Sequence, residues 1–285
     1  MSDAHPVSDA LPGIPGSIVP PGLDATLVLL RHGESEWIVE NRFQGQSETP
    51  LSPAGLRQAA LAGRRLARPH DSPALPVPQS RPRDIVHSPL ARTTQTARAV
   101  ADAIASADGA DVPMRAEPGF IEIGQGEWEG LHQDDIAARY ADTLSGWRRR
   151  PWEVWAPGGE SIAAVQERVR PALVDVLDGL GRDYPRGSLD RPQVGGYAGA
   201  GHQASQPWSI VVGHDGVFKV VLLTLFGIPL THFWMFTMAL TGITVVELRG
   251  GRPVLRAANL TEHLAPLLDE RAQEAAERRA ATGAM

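Results

Sequence analysis

The sequence predicts an α/β protein: a three-layer α/β/α sandwich around a mostly parallel, doubly wound sheet. Three observations carry this reading. The short runs Leu27-Val28-Leu29-Leu30, Asp84-Ile85-Val86-His87 and Ser209-Ile210-Val211-Val212 are nearly continuous in apolar residues, as strands buried on both faces are. Each run is followed by a helix start, so strands and helices alternate along the chain. Arg31-His32-Gly33-Glu34, Ser88-Pro89 and Gly213-His214 then stand at the strand ends, where a doubly wound sheet places its ligands.

In chain order, residues 1–24 carry Pro, Gly and Ser without a basic start or an apolar core, so a disordered tail is expected there rather than a signal peptide. A domain over 25–262 follows. Ser52 is placed to cap a helix over 54–67, with Pro53 in its first position. The second strand ends at His87, and Ser88-Pro89 is expected to open a helix running to about Ile104, which puts Arg92 in its first turn. Residues 128–157 read as a lid over the sheet edge, and 161–180 as a long helix bent at Pro171. Residues 181–207 are rich in Gly, Pro, Gln and Ser with no apolar period, and read as a flexible insertion. The third strand enters a helix over 216–226, and 243–248 with 253–257 form a strand pair around Gly250-Gly251. Residues 263–285 are expected to be helical at first and then frayed.

Composition narrows the function. At 285 residues, 42% hydrophobic and 21% charged, the chain can bury one full core. A net charge of -6 excludes a general nucleic-acid or membrane-surface binder, since both need a basic face. The absence of cysteine removes disulfides, thiolate zinc and a thiol nucleophile together. The most apolar stretch, 217–240, is interrupted by Lys219, Gly227, Pro229 and His232, which a membrane span would not carry together.

The strand ends supply the chemistry. Arg31 and Arg92 offer forked, permanently charged donors to phosphate oxygens, and a neutral imidazole at His32 can act as a nucleophile. Gly33 would let the backbone approach an anion. With His214 on the third strand and Glu122 on a loop, two arginines and two histidines converge on one anion. The remaining histidines lack the spacing of a zinc cluster, and no cofactor is expected.

Taken together, the blocks Leu30-Arg31-His32-Gly33-Glu34-Ser35, Asn41-Arg42-Phe43-Gln44-Gly45, Leu51-Ser52-Pro53-Ala54-Gly55, Ser88-Pro89-Leu90-Ala91-Arg92-Thr93, Glu122 with Gly126-Glu127-Trp128-Glu129-Gly130, Pro157-Gly158-Gly159-Glu160-Ser161 and Gly213-His214 resemble the histidine phosphatase superfamily, the phosphoglycerate mutase-like group. They occur in the family's order. The resemblance implies a phosphoglycerate mutase-like fold and a phosphohistidine mechanism. In it His32, oriented by a backbone carbonyl, attacks phosphorus while Arg31, Arg92 and His214 spread the charge of the three equatorial oxygens. Glu122, its pKa raised by burial, would protonate the leaving oxygen and later take a proton from water. Neighbouring Glu127 or Glu129 could take its place. Ser35, Gln44 and Gly45 fit substrate contacts, as do Asp215, Arg148 and Arg149.

Two departures stand out. Relatives commonly carry an asparagine where this chain has Ile38, so one phosphate donor is missing. Asp215 replaces a small residue; beside the pocket it would repel phosphate, raise the pKa of His214, or order Arg92 or a substrate hydroxyl. The short interval between Gly130 and Glu160 favours hydrolysis, whereas Trp147-Arg148-Arg149 resembles a mutase pair that grips a carboxylate. Packing and a solvated basic face are the simpler account of Trp147, Trp152, Trp155 and the intervening arginines. The expectation is a cytoplasmic, metal-independent phosphomonoesterase acting on a small phosphorylated metabolite, with neither nucleic acid nor membrane as partner and a homodimer left open. The alternatives are a phosphoglycerate mutase-type transferase and a catalytically silent phosphate-binding module.

Overall fold

The computed structural model describes residues 17–182 and 206–268, so most of the expected tails and insertion lie outside the described residues. Six strands form one sheet: β1 (Ala25–Arg31), β2 (Ile85–His87), β3 (Met114–Ala116), β4 (Trp208–Gly213), β5 (Ile243–Arg249) and β6 (Arg252–Leu260). Their order is β3-β2-β4-β1-β5-β6. β3, β2, β4 and β1 run parallel, and β5 pairs antiparallel with both β1 and β6. Around the sheet lie α1 (Glu36–Val39), α2 (Pro53–Ala67), α3 (Ala91–Asp108), α4 (Gln133–Arg139), α5 (Ala141–Arg149), α6 (Ile162–Arg182) and α7 (Asp215–Phe226).

The alternation of β1 explains the layers. Leu27 and Leu29 face one side and pack with α6 and α7, while Val28 and Leu30 face the other and pack with α2 and α3. Both faces of the strand are thus covered, and each fully buried leucine contributes about 1.5–3 kcal/mol. A third cluster, Trp128 with Ile136, Leu144 and Ala156, fastens α4 and α5 over the carboxyl edge. Trp128 meets Phe43 and Trp147 edge to face, with centroids 5.6 and 6.3 Å apart.

Several boundaries differ from the sequence reading. Val19 and Leu23, inside the stretch assigned to the tail, are buried in the main core. β3 was not anticipated. α3 begins at Ala91 with Leu90 as its cap, two residues beyond Pro89, and α6 runs unbroken through Pro171, started by the Ser161 hydroxyl accepting from the Ala164 N–H. α2 forms as read, its Ser52 hydroxyl accepting from the Gly55 N–H at 3.0 Å. Among the described residues no helix is long and apolar enough to cross a membrane.

Candidate active site

The four parallel strands deliver one group each to the same edge. His32 follows β1 and is tied across to β4 by its N–H on the Gly213 carbonyl, 3.0 Å away. Arg92 stands in the first turn of the helix after β2, Glu122 in the loop after β3, and His214 directly after β4. His32, Arg92 and Glu122 line a cavity of about 250 Å³ together with Arg31 and Asp215, among others. His214 itself is fully buried beneath it, its ring 5.1 Å from that of His32.

Each group is held by backbone. The His32 Nδ1 lies 2.6 Å from the Gly33 carbonyl, which can only accept, so the ring carries its proton there and leaves the Nε2 lone pair free. Burial, with the charges of Arg92 and Arg31, holds this imidazole well below its ordinary pKa and therefore neutral. His214 is lowered in the same way, by burial first and then by Arg92. Its Nε2 lies 2.8 Å from the Ser88 hydroxyl, while its Nδ1 is buried without a protein partner. Arg92 donates to the Gly45 and Ser47 carbonyls at 2.8 and 2.9 Å, and Arg31 to the Met238 carbonyl at 2.5 Å. Burial pulls the Arg92 pKa down to about 10, which leaves it a cation at neutral pH. The Nε atoms of both arginines are buried and unpartnered. Three buried polar nitrogens, on the residues around a neutral histidine, are thus without a protein partner, a deficit that an anion would relieve.

Glu122 is fixed at the start of α7. Its carboxylate accepts from the Ile123, Gly216 and Val217 N–H groups at 2.9, 3.2 and 3.0 Å. Its own carbonyl is taken by Arg168 and Gln46, both of which also bond Glu160. Neither of the other acids is placed as it is. Glu127 accepts from the Tyr140 hydroxyl, and Glu129 clasps the loop that carries Gln46 and Ser47. A larger cleft between α2 and α3 brings no such groups together, and its Arg65 is committed to the carbonyls of Arg68, Pro69 and Pro73.

The family model described as histidine phosphatase superfamily (branch 1) matches residues 27–183 and 198–261. The chain belongs to the histidine phosphatase superfamily. The expected family, α/β architecture and phosphoric monoester hydrolase class are met at that level. Phosphoserine phosphatase 1 of Hydrogenobacter thermophilus is 28% identical over 242 residues, 84% of this chain and 93% of that protein. A probable phosphoglycerate mutase of Enterobacter is 30% identical over 255 residues, 85% of this chain and 96% of its own length. A solved mycobacterial glucosyl-3-phosphoglycerate phosphatase in complex with inorganic phosphate superposes with a TM-score of 0.62 at 26% identity, covering 84% of this chain and 99% of that one.

Within this histidine phosphatase, the remaining sequence-predicted contacts divide. Gln44 and Gly45 line the cavity. Ser35 does not; it is buried and bonds the Gln44 carbonyl oxygen at 2.7 Å, as Thr49 does at 2.8 Å, which leaves the Gln44 amide nitrogen for a ligand. Arg148 and Arg149 are exposed and outside the cavity lining. Ile38 does not line it either. Asp215 lines the cavity but orders neither Arg92 nor His214. Its carboxylate pairs with Lys219 at 2.6 Å, and the His214 pKa moves down rather than up. Gly33 serves packing: a Cβ there would lie 2.6 Å from the Gly55 carbonyl, and its N–H goes to the Thr96 hydroxyl. Sequence reasoning missed Phe233 and Trp234 on the cavity wall. It also missed Ser88 as the partner of His214, although Ser88 belongs to a quoted block.

Proposed function

We propose that this histidine phosphatase hydrolyses a small phosphorylated metabolite through a phosphohistidine formed at His32. The Nε2 lone pair of His32 attacks phosphorus as the ester P–O bond breaks. Arg31, Arg92 and His214 stabilise the charge on the three equatorial oxygens, which is most of what phosphoryl transfer asks of a protein. Glu122 gives a proton to the departing oxygen. It then takes one from the water that attacks phosphorus, so that a P–O bond forms as the P–N bond to His32 breaks, releasing inorganic phosphate and restoring the imidazole. No step is routed through a metal ion.

One observation carries this reading: a neutral histidine with its Nδ1 committed to Gly33 stands beside Arg31 and Arg92, whose buried Nε atoms have no protein partner. A silent binding module would have no use for the free nucleophilic nitrogen. Hydrolysis is favoured over phosphoglycerate mutation because Arg148 and Arg149, the pair expected to grip a carboxylate, are solvent-exposed and outside the cavity lining. With 3-phosphoglycerate, release of inorganic phosphate supports hydrolysis, and 2-phosphoglycerate formed without phosphate overturns it. Acid-quenched protein should carry a substrate-dependent phosphoryl mass on His32. His32→Ala should lose that mass and about 10⁴–10⁶-fold in kcat, and an equal rate would remove the nucleophile from the scheme. A metabolite substrate and a cysteine-free chain fit a reducing, cytosolic setting.

A further inference from the structure

The wall of the cavity away from the two arginines has a different chemistry. Phe43, Trp147, Phe233 and Trp234 supply aromatic surface, Gln125 an amide, and Asp215 a carboxylate. Trp147 and Trp234 meet edge to face with centroids 5.1 Å apart, forming a corner. Behind it lies Lys219, its side chain only 6% exposed, its ammonium 4.9 Å from the Trp234 centroid and 5.5 Å from that of Phe233. Lys219 holds Asp215 Oδ2 at 2.6 Å, which fixes the carboxylate and leaves Oδ1 as the oxygen able to meet a ligand. Arg31 and Arg92 are the only cationic side chains among the described residues lining the cavity, and a bound phosphoryl group uses both.

A leaving group that carried a carboxylate near the ester would meet the Asp215 carboxylate, whose one ammonium partner is already taken by Oδ2, and no other lining cation would be left to receive it. A ring with apolar faces and hydroxyl groups would lie on the aromatic corner and donate a hydroxyl to Asp215. We propose that Asp215 and the Trp147–Trp234 corner select a furanose or pyranose monoester, a ring-bearing polyol phosphate, against phosphorylated hydroxy and amino acids. This rests on the hydrolase reading above and deepens it.

The test compares kcat/KM for glucose 6-phosphate and ribose 5-phosphate with that for 3-phosphoglycerate and phosphoserine, using p-nitrophenyl phosphate as a common reference. At least one sugar ester should exceed both acids by about tenfold or more, since like-charge juxtaposition is strongly discriminating. Asp215→Asn should shrink that ratio by raising the relative rate on 3-phosphoglycerate. Because this change also leaves Lys219 without its partner, Trp234→Leu at a 44% exposed position is a second variant. It should raise KM for the sugar ester by about threefold to tenfold, the worth of one aromatic contact, with a smaller effect on glycerol 3-phosphate. Phosphoserine or 3-phosphoglycerate turned over as well as the sugars, or a ratio unmoved in both variants, overturns the inference and leaves the hydrolase reading standing. Failure to hydrolyse any of these esters, p-nitrophenyl phosphate included, overturns both.

Discussion

Arg92→Lys keeps a positive charge in the cavity but removes the fork. In the structure the two Nη atoms of Arg92 hold the Gly45 and Ser47 carbonyls while Nε faces no protein partner, so one planar group braces a loop and still offers a donor to a ligand. An ammonium is a single point and cannot do both. A carbonyl left without its charged donor costs about 1.5–3 kcal/mol, which for a chain of this size lowers the melting temperature by about 3–12 °C. A lost transition-state donor costs about 10²–10³-fold in kcat. The pH profile separates charge from geometry. Burial already draws the Arg92 pKa down to about 10. A lysine starts lower, at about 10.4, so the same burial brings its deprotonation into the assay range. The expected outcome with p-nitrophenyl phosphate is a variant at least about a hundredfold slower at pH 7 whose kcat/KM falls further as pH rises to 9. A variant within tenfold of the parent across that range would show that the forked geometry is not what the reaction uses.

Glu122→Gln should slow alkyl phosphates by about 10²–10⁴-fold and p-nitrophenyl phosphate far less, because p-nitrophenolate leaves without a proton; equal losses on both would refute the acid role. Stability should fall as pH drops below the unfolded-state histidine value near 6.5. His32 and His214 stay neutral in the fold, and the His263 pKa is lowered to about 4, so the unfolded chain binds more protons in this window. Each such group contributes a slope of up to about 1.4 kcal/mol per pH unit, and denaturant unfolding at pH 7.5 and 5.5 should show His263→Gln with a shallower dependence than the parent. Trp128→Ala empties the centre of the cluster under α4 and α5. It should cost about 3–5 kcal/mol by denaturant unfolding and raise KM for p-nitrophenyl phosphate, because Trp147 on the cavity wall rests against it.

The parts of the fold legible in the sequence were those with one dominant physical signal. β1, β2 and β4 are buried on both faces, β1 and β4 end at functional residues, and Ser52-Pro53 is a helix start that needs only local groups. β3 spans three residues, none buried, so it has no periodicity to read. The start of α3 was misjudged because Ser88 does not cap it. Its hydroxyl is at His214, a contact across 126 residues that no local pattern encodes. The sequence offers Arg148 and Arg149 as substrate contacts, with a solvated basic face as the simpler account; the solvated face holds for the arginines while Trp147 lines the cavity, because successive helical residues turn by about 100° and a helix that points Trp147 inward turns its next two residues away. The partner of Asp215 was available: Lys219 lies four residues on along the same helix, the spacing at which opposite charges meet.

The electrostatics of the cavity explain why the same few residues recur at the strand ends. Two guanidinium groups near one another are unfavourable in a buried place, and the structure offsets this on the far side with carbonyls of Gly45, Ser47 and Met238 rather than with a tightly paired carboxylate. A carboxylate salt-bridged to Arg92 or Arg31 would satisfy the cation in the resting state and compete with phosphate; neutral carbonyls hold the side chain and leave its charge unspent. Burial first, and then these same charges, keep His32 unprotonated, so the field that would stabilise an incoming dianion also helps to keep the nucleophile ready. Exchanging the carbonyls for acids would stabilise the empty protein and weaken the site, which is why the cations here are braced by backbone. The acids that line the cavity, Glu122 and Asp215, are engaged elsewhere, one by the first turn of α7 and the other by Lys219.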